Sequence, residues 1–433
     1  MNLVVNRAVP NRMVQQTLRS RLRFHYPQVD DVVFRADHVE LSLRSALPDG
    51  DAVARLLLTM ADTYATLPDV PPRVIHDATG RPRQKTHAGT MWSPGQERSF
   101  RAALTALLAD ITEADQVATT LTGLPTRYPS GRGLNTYGSD EVALHRILDN
   151  LLRQVFVRCF GAAELRAPSM IATATLDRSG YLGTSYQHLN FVSPLDHRPE
   201  SFDGFQPYWN GRDGAAETRV DGIRDFLAAP ADVLNPALCL HCYPLLEGAA
   251  VAADAPSVLT LAGSCFRDES GNLNHGERLR EFFMREAVFV GSRASLESLH
   301  GEILRLLTRL GAVCGLPFRL EHASDIFFSD GAPQRLFSQM LSDNKIEMVV
   351  PQEDGTGVAI ASLNRHDNHF TSKFEITTPD GGAAASMCVG VGIDRLALSL
   401  GAYAAADGIP TLRFLHRAVT DYLVSEPRDE DIR

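Results

Sequence analysis

The sequence has 433 residues, of which 44% are hydrophobic, and carries a formal net charge of −10 at pH 7. This length and apolar content predict a globular protein with two domains and at least one substantial hydrophobic core. The acidic excess lies after residue 150, which argues against a large basic surface for a nucleic acid, although basic side chains could still cluster in space. No stretch is apolar enough to cross a membrane.

The N-terminus and the cysteines indicate the compartment. Residues 1–10 lack the charged and apolar segments of a secretory signal, so a cytoplasmic location is expected. The six cysteines are scattered through a long chain, which favours thiols or metal ligands over a disulfide framework.

Residues 1–130 predict a small α+β domain of unknown role. Hydrophobic periodicity indicates a helix over Arg12–Phe24, a strand over Val32–Leu43 and a second helix over Asp51–Tyr64. A loop rich in proline, glycine and charged residues follows from Leu67 to Pro94. A third helix is predicted over Ser99–Leu108.

Residues 131–433 predict a second, larger domain. Its first helix, Asp140–Phe160, begins after Ser139, a residue type that caps helix N-termini. Apolar runs predict strands over Val258–Phe266, Phe282–Val290, Ile346–Val350, Val358–Leu363 and Lys373–Thr377, and helices over Ser295–Leu310 and Val391–Leu400. Because strands outnumber regular strand-helix-strand crossovers, a mostly antiparallel sheet is expected.

An arginine-rich hairpin is the first candidate for chemistry. The runs SCFRDES (264–270) and LREFFMREAVFVG (279–291) are typical of two strands joined by a charged turn. Guanidinium groups match phosphate oxygens and keep their charge, so these arginines could clamp a triphosphate. A surface hairpin with cross-strand ion pairs explains the pattern equally well. The arginines are Arg267, Arg278, Arg280 and Arg285.

A glycine-interrupted strand that continues into a helix is the second candidate. In CVGVGIDRLALSL (388–400), Gly390 and Gly392 allow a nucleotide to approach the backbone, and Asp394 and Arg395 stand at the junction. The run matches neither the dinucleotide motif GxGxxG nor the phosphate loop GxxxxGKS/T. Alone, it is a weak indication of a nucleotide site.

Together these segments resemble the class II aminoacyl-tRNA synthetases. FRDE (266–269), Arg278 and Glu281-Phe282 are similar to motif 2, GVGIDRLALSL (390–400) to motif 3, and the helix Asp140–Phe160 with Pro168 to motif 1. The resemblance implies an α+β fold, in which an antiparallel sheet is flanked by helices and preceded here by the small N-terminal domain. It also implies a homodimer.

Within that class, the chain resembles the atypical zinc-dependent seryl-tRNA synthetases and their truncated relatives, the amino acid:carrier protein ligases. The resemblance covers about residues 133–415. It is carried by RSGYLGTSYQHL (178–189), CLHCYP (239–244), MRE (284–286) and MCVGVGIDR (387–395).

The resemblance implies a role for each residue of the nucleotide site. Arg267 would bind the α-phosphate of ATP and stabilise charge as pyrophosphate leaves, while Arg278 and Arg395 would hold the β- and γ-phosphates. Phe282 would stack on adenine, and Glu269 would lie at its edge. Arg267 and Arg395 are therefore the candidate catalytic residues.

Zinc is the second cofactor that the resemblance implies. Cys239, Glu286 and Cys388 fall where the atypical synthetases have their ligands, which would leave one position for the amino group of the substrate. Two other interpretations stay open: these cysteines could be buried apolar residues, or Cys239 could pair with Cys242 in a CxxC motif.

The amino acid pocket and magnesium are less well defined. Ser362, Asn364, His366 and Glu347 could line the pocket for the amino acid, or be ordinary polar residues at strand ends. Mg²⁺ is expected with ATP, but no acid occupies the place near Ala359 where the synthetases have a magnesium-binding glutamate.

The acceptor of the activated amino acid is the last prediction. Because residues 1–130 are nearly neutral and lack a long coiled coil, transfer to the phosphopantetheine thiol of a carrier protein is favoured over transfer to tRNA. A tRNA-charging synthetase and a non-catalytic binding module are the alternatives. A small amino acid is expected, although pocket shape decides its identity.

Overall fold

The structure, a computed structural model, describes residues 2–65, 67, 73–79, 92–116, 126–211, 220–252, 254–274, 276–323, 344–352 and 357–425. Within these ranges, no helix is both long and apolar enough to span a bilayer. Three hydrophobic cores form there, one in the N-terminal domain and one on each face of a large sheet.

The N-terminal domain is a three-stranded sheet packed against two helices. Its elements are β1 (Asn2–Val5), α1 (Arg12–His25), β2 (Val29–Phe34), β3 (Val39–Leu43) and α2 (Gly50–Tyr64), with strand order β1-β3-β2. Asn11 and Asp49 cap the helices by accepting from the backbone N–H groups of Val14 and Ala52. Both helices lie where the apolar periodicity predicts them.

The predicted strand Val32–Leu43 is wrong, because this segment forms a hairpin of β2 and β3. The chain reverses at Arg35, whose N–H donates to the carbonyl of His38 over 2.8 Å. Apolar and polar side chains alternate in β3, and the apolar end of β2 (Val32–Phe34) leads into it without a glycine or proline at the turn. The alternation therefore does not distinguish one long strand from a tight hairpin.

Residues 73–79 and 92–116 belong structurally to the large domain. β4 (Val74–Asp77) pairs with a strand much later in the chain, and α3 (Pro94–Gln116) contributes Phe100 and Leu104 to the core of the large domain. The N-terminal core of the described residues thus extends from Leu3 to Leu67, which is shorter than the predicted domain 1–130. Most of the predicted loop Leu67–Pro94 lies outside the described residues.

A long helix and several short elements precede the central strands of the large domain. They are β5 (Arg127–Gly131), β6 (Leu134–Tyr137), α4 (Ser139–Phe160), β7 (Ala163–Leu165), β8 (Met170–Ala172), α5 (Thr173–Ser179), α6 (Tyr181–Thr184), β9 (Phe191–Val192), α7 (Pro199–Asn210), β10 (Asp232–Leu234) and α8 (Cys242–Leu245). β5 and β6 form a hairpin, and β8, β10 and β9 form a second small sheet. A short 3-10 helix, Leu238–His241, leads into α8 and places Cys239.

An eight-stranded sheet forms the centre of the large domain. Besides β4 and β7, it contains β11 (Ser257–Phe266), β12 (Glu281–Gly291), β13 (Arg319–His322), β14 (Lys345–Pro351), β15 (Gly357–Asp367) and β16 (Ala385–Gly392). Their order is β4-β13-β14-β15-β16-β12-β11-β7. Among the strands that the structure describes in this sheet, only the β11–β7 pair is parallel, which confirms the expected mostly antiparallel sheet.

Helices cover one face of this sheet and leave part of the other face open. The covering helices are α3, α4, α9 (Arg293–Val313), α10 (Ile393–Ala406) and α11 (Thr411–Ser425). In β12, Ala287 and Phe289 face these helices, whereas Val288 and Val290 face the second core. Since side chains alternate along a strand, Glu286 and Phe282 lie on the same face as Val288.

Two predicted elements differ from the structure near the C-terminus. Lys373–Thr377 is a turn, since Phe374 N donates to Phe370 O and Glu375 has a φ of 55°. The alternating apolar residues that suggested a strand there, Phe374 and Ile376, are buried in the second core instead. Helix α10 begins at Ile393 rather than at Val391, because Val391 still pairs within β16.

Candidate active site

A deep cleft of about 680 Å³ opens on the uncovered face of the sheet. Strands β12, β14, β15 and β16 form its floor, and the turn between β11 and β12 forms one wall. The residues predicted for the nucleotide, zinc and amino acid sites line this cleft: Cys239, Arg267, Glu269, Arg278, Phe282, Glu286, Glu347, Ser362, Asn364, Cys388, Gly392 and Arg395. The fold therefore brings residues from distant parts of the chain into one cavity.

The strand register explains why these side chains meet. Glu347, Ser362, Gly390 and Glu286 are direct neighbours across β14, β15, β16 and β12. Gly390 has no side chain, and a Cβ there would lie 3.5 Å from Cγ of Glu286 and 3.1 Å from Cε of Met284. The glycine therefore keeps the floor of the cleft low between two polar groups.

Arg267 and Phe282 stand side by side where β11 and β12 enter the connecting turn. The guanidinium carbon of Arg267 lies 5.4 Å from the centre of the Phe282 ring, and Nε donates to the carbonyl of Pro236 over 3.0 Å. These contacts hold a charge beside an aromatic face. The pair can accommodate a phosphate and a planar base next to each other.

The turn carries a second charged pair. Arg278 donates from Nη1 to Oε2 of Glu269 over 2.8 Å. Burial opposes ionisation of Glu269, but the nearby positive groups together outweigh it and lower the pKa of this carboxyl group; in decreasing order of effect they are Arg278, His188, Arg267 and Arg395. The backbone around Arg278 is fixed by Asn274, whose Oδ1 accepts from the N–H of Arg278 over 2.9 Å.

Arg395 extends from the first turn of α10 into the same cleft. Its Nε donates to the carbonyl of Glu277 over 2.7 Å, and its Nη1 donates to the carbonyl of Ala359 over 3.0 Å. Burial, followed by repulsion from Arg278, lowers the pKa of Arg395. Arg267, Arg278 and Arg395 thus place three positive charges around one end of the cleft.

Two arginines of the sequence cluster lie elsewhere. Arg280 binds Oδ1 of Asn190 through Nε and Nη2 over 3.1 and 2.8 Å. Arg285 lies on the opposite face of β12 and binds Asp149 over 2.6 and 3.0 Å. Of the four arginines in the hairpin, Arg267 and Arg278 therefore face the cleft, whereas strand alternation directs Arg285 away from it.

A buried cluster of potential metal ligands lies at the other end of the cleft. The sulfur atoms of Cys239 and Cys388 and a carboxylate oxygen of Glu286 all lie within 4.8 Å of one another. Burial raises the pKa of Glu286 to about 7, and the nearby Cys388 adds to this shift. Two sulfurs and one oxygen suit zinc, whose tetrahedral coordination sets sulfur atoms about 3.8 Å apart.

Hydrogen bonds organise this cluster from outside. The N–H of Cys239 donates to Oε2 of Glu286 over 2.8 Å. Asn364 Nδ2 donates to the sulfur of Cys388 over 3.8 Å and to Ser362 Oγ over 3.1 Å, and His366 Nε2 lies 3.7 Å from the same sulfur. Hydrogen bonding from Cys239, with these donors, lowers the pKa of Cys388.

The alternative pairing of Cys239 with Cys242 is not found. All six cysteines lie within the described residues and all are unpaired thiols. Cys242 is buried outside the three-residue cluster, and burial raises the pKa of its thiol. Cys242 therefore packs as a small buried apolar residue, whereas Cys239 lines the cleft.

The place where a synthetase would hold magnesium does not fit that ion. Ala359 offers only a backbone carbonyl, which already accepts from Arg395. Glu347 lies on the neighbouring strand, where its Oε1 is 3.1 Å from Nζ of Lys345. Any magnesium at this site would depend on the phosphates of a bound nucleotide for most of its ligands.

Sequence reasoning missed several residues of the cleft. Tyr181, Gln187 and His188 line it, and the hydroxyl of Tyr181 lies 3.4 Å from Nδ1 of His188. Lys345 lines it from β14. Segment 178–189 carries part of the family resemblance, so the sequence indicated that it belongs near the site. Nothing in its local pattern indicated which of its side chains face the cleft.

Comparisons with known proteins agree with this geometry. No protein-family model matches the chain. Amino acid--[acyl-carrier-protein] ligase 2 of Bradyrhizobium diazoefficiens is 31% identical over 240 residues, which are 54% of this chain and 68% of the relative. The type-2 serine--tRNA ligase of Methanocaldococcus jannaschii is 27% identical over 279 residues, 63% of this chain but only 53% of that ligase.

A solved structure extends the likeness to the whole chain. The SerRS of M. kandleri, crystallised in complex with tRNASec of A. aeolicus, has a TM-score of 0.57 and 21% identity, and the match covers 99% of this chain and 79% of that one. This likeness shows the fold, which is that of a class II synthetase, as the motifs predict. The chain therefore belongs to the family of the amino acid:acyl-carrier-protein ligases, a class II synthetase-like family related to the type-2 serine--tRNA ligases.

Proposed function

We propose that the protein uses ATP to activate a small amino acid as an aminoacyl-adenylate. The observation that carries this proposal is the arrangement along β12. Phe282, beside Arg267, and Glu286, in the thiol-carboxylate cluster, lie on one face of that strand, about 13 Å apart at about 3.3 Å per residue. A single rigid strand thus joins a nucleotide-binding end to an amine-binding end of one cleft.

The arginines account for the chemistry at the nucleotide end. A carboxylate oxygen of the amino acid forms a bond to the α-phosphorus, and the bond from that phosphorus to pyrophosphate breaks. No proton transfer is required, so fixed positive charges supply most of the stabilisation. Arg267 lies nearest to the Phe282 ring and would contact the α-phosphate, whereas Arg278 and Arg395 would bind the leaving pyrophosphate.

The thiol-carboxylate cluster accounts for selection of an amino acid. Cys239, Glu286 and Cys388 would hold zinc, which would supply a Lewis acid to bind the amino group of the substrate. Asn364 and His366 keep the sulfur of Cys388 oriented toward the cluster. Ser362 and Glu347 line the remaining floor and would contact the side chain of the amino acid.

A zinc assay on single variants tests this cluster. Replacement of Cys239, Glu286 or Cys388 by Ala should each abolish stoichiometric zinc, measured by elemental analysis of the purified protein. Cys242→Ala serves as the matched control, because its sulfur is equally buried but lies outside the cluster. Full zinc content in all three site variants would refute the metal site.

We propose the phosphopantetheine thiol of a carrier protein as the acceptor. The relative that supports this is a ligase acting on an acyl carrier protein, and the near-neutral N-terminal domain gives no strong electrostatic attraction to tRNA. Transfer to tRNA is the second candidate, supported by the serine--tRNA ligase relatives. The presence of the arginines and the metal-ligand set in one cleft favours either enzyme over a non-catalytic binding module.

One set of assays distinguishes these functions. Amino-acid-dependent exchange of pyrophosphate into ATP, screened over glycine, alanine and serine, tests activation. Mass spectrometry of a holo carrier protein and a charging assay on tRNA then identify the acceptor. Absence of exchange with every amino acid would overturn the enzyme proposal, and charged tRNA with an unmodified carrier would overturn the carrier-protein proposal.

A further inference from the structure

The N-terminal domain touches the turn that carries Glu269 and Arg278. The tip of this turn is a short 3-10 helix, Ser270–Asn272, and it packs against α1. Asn272 is 7% exposed, and its Nδ2 donates to the carbonyl oxygen of Ser20 in α1 over 2.9 Å. The contact therefore fixes a buried side chain of the turn to the backbone of another domain.

In the same contact, the backbone of the turn at Gly271 packs directly against the backbone of Arg23 and Pro27. A Cβ built on Gly271 would overlap the carbonyl oxygen of Arg23, and it would lie 3.0 Å from Cα of Pro27. Position 271 thus accepts only glycine while the two domains keep this distance. Leu273, the next buried residue of the turn, is 8% exposed.

Hydrogen bonds connect this contact to the nucleotide-binding side chains. Asn272 N donates to the carbonyl of Glu269 over 2.9 Å, and Asn274 N donates to the carbonyl of Arg278 over 2.9 Å. Ser270 has a φ of 45°, in the left-handed region, and its N–H donates to Oδ1 of Asp268. A displacement at residues 271–272 would therefore move both Glu269 and Arg278.

The opposite side of the turn is held by the large domain. The N–H of Arg280 donates to the carbonyl of Gly133 over 2.7 Å, in the β5–β6 hairpin. The turn thus lies between two supports, and α1 is the one supplied by the N-terminal domain. Burial lowers the pKa of Arg23, and the charge of Arg44 lowers it further. The charge of Arg278 makes a smaller contribution in the same direction, so Arg23 lies near the turn.

We infer that the N-terminal domain, residues 2–67, braces the ATP-binding turn and positions Arg278 and Glu269 for the nucleotide. This inference rests on the proposed use of ATP. Asn272 and Gly271 are positioning residues, since neither lines the cleft and both act through the turn. The N-terminal domain would thus contribute to activation of the amino acid, whichever acceptor receives it.

The test measures the KM for ATP in pyrophosphate exchange and the direct binding of ATP by calorimetry. Asn272→Ala should raise the KM for ATP about three- to tenfold, the effect of losing one buried hydrogen bond. The kcat at saturating ATP and the KM for the amino acid should stay within about twofold. Gly271→Ala should weaken ATP binding further, because its Cβ displaces the turn.

Two matched variants control for general damage. Ser20→Ala keeps the backbone carbonyl that accepts from Asn272, and a Cβ at Gly50 meets nothing within 4 Å. Ser20→Ala and Gly50→Ala should both leave the KM for ATP unchanged. Asn272→Ala with an unchanged KM for ATP and unchanged ATP affinity would overturn the inference. A lower kcat with an unchanged KM for ATP in a variant that melts like the wild type would overturn it as well, because the turn would then not act through ATP binding.

The two proposals fail in different ways. If the wild-type protein shows no exchange and binds no ATP, the proposed function is wrong. If the wild-type protein is active but Asn272→Ala and Gly271→Ala bind ATP like the controls, only the brace is wrong.

Discussion

Single side chains decide most of the proposed chemistry. Arg267 is the arginine next to the Phe282 ring, and its Nε is already oriented by the carbonyl of Pro236. An oriented cation needs little reorganisation as charge develops on the α-phosphate. Its position, rather than the number of arginines in the hairpin, is what the chemistry requires.

Arg267→Ala should lower kcat/KM in pyrophosphate exchange by about 100- to 1000-fold, the usual effect of removing one transition-state donor. The melting temperature should change little. Arg293→Ala is the matched control, since that arginine is 69% exposed and pairs only with Asp367 in the described residues. Comparable activity of Arg267→Ala and Arg293→Ala would contradict the assigned role.

The raised pKa of Glu286 predicts that the stability of the metal-free protein depends on pH. Burial raises its pKa from 4.5 to about 7, so between these values the folded chain holds a proton that the unfolded chain has lost. The stability from this group is complete below about pH 4.5 and is lost as the pH rises through 7. Zinc requires the ionised form, so metal affinity should increase over the same range.

Glu286→Gln separates these effects. In chelator-treated protein at pH 8, the variant should be more stable than wild type by up to about 3 kcal/mol, as measured by urea unfolding. Near pH 4.5 the two should be alike. With zinc the order should reverse, because only wild type binds the ion tightly. Equal stabilities of metal-free wild type and Glu286→Gln at pH 8 would show that burial of the ionised carboxylate does not destabilise the protein.

At the level of elements, β12 connects the cleft to the helical layer. On one face of β12, Phe282 and Glu286 line the candidate site. On the opposite face, Arg285 donates two hydrogen bonds to Asp149 of α4. The Arg285 side chain is 4% exposed, so it depends on that partner. The pair fixes the strand against the helix that carries the motif 1 resemblance.

Asp149→Ala should destabilise the protein by about 3 kcal/mol, because a buried guanidinium loses its principal carboxylate. Glu164, 3.6 Å from Nη2 of Arg285, should limit the loss. Chemical unfolding measures the change. The double variant Asp149→Leu with Arg285→Met should recover much of the stability, and failure of the single variant to destabilise would contradict the buried-pair interpretation.

The sequence predicts these elements unequally well. Alternation and turn residues suffice for the hairpin of β11 and β12, because both strands are long and apolar. They fail for Phe374 and Ile376, whose alternation reflects burial in a turn rather than a strand. The row from Glu347 to Glu286 could not be predicted, since it depends on the register of strands that are distant in sequence.

For the whole molecule, the domain boundary depends on contacts that local patterns do not contain. β4 lies early in the chain but pairs with β13, and α3 packs into the large core. The class II fold was predicted from the resemblance of whole segments to motifs 2 and 3, not from local hydrophobic patterns. The contact between Asn272 and Ser20 joins two domains and has no sequence signal.

A homodimer remains a prediction from the motif 1 resemblance of α4. A second cavity of about 430 Å³, lined by Tyr137, His145, Asp149 and Phe283 among others, opens beside this helix. Light scattering of the purified protein should give twice the chain mass of 47.4 kDa. A monomer mass at micromolar concentration would contradict the prediction.

The strand that joins the two ends of the cleft has a consequence for substrate geometry. If the amine is held beside Glu286 and the α-phosphate beside Arg267, the distance from amine to carboxylate is set by the protein backbone. β-Alanine contains one more carbon–carbon bond, about 1.5 Å, between these groups. Because a misplacement of about 1 Å can cost about 100-fold in rate, α-alanine should be activated at least that much faster than its β-isomer.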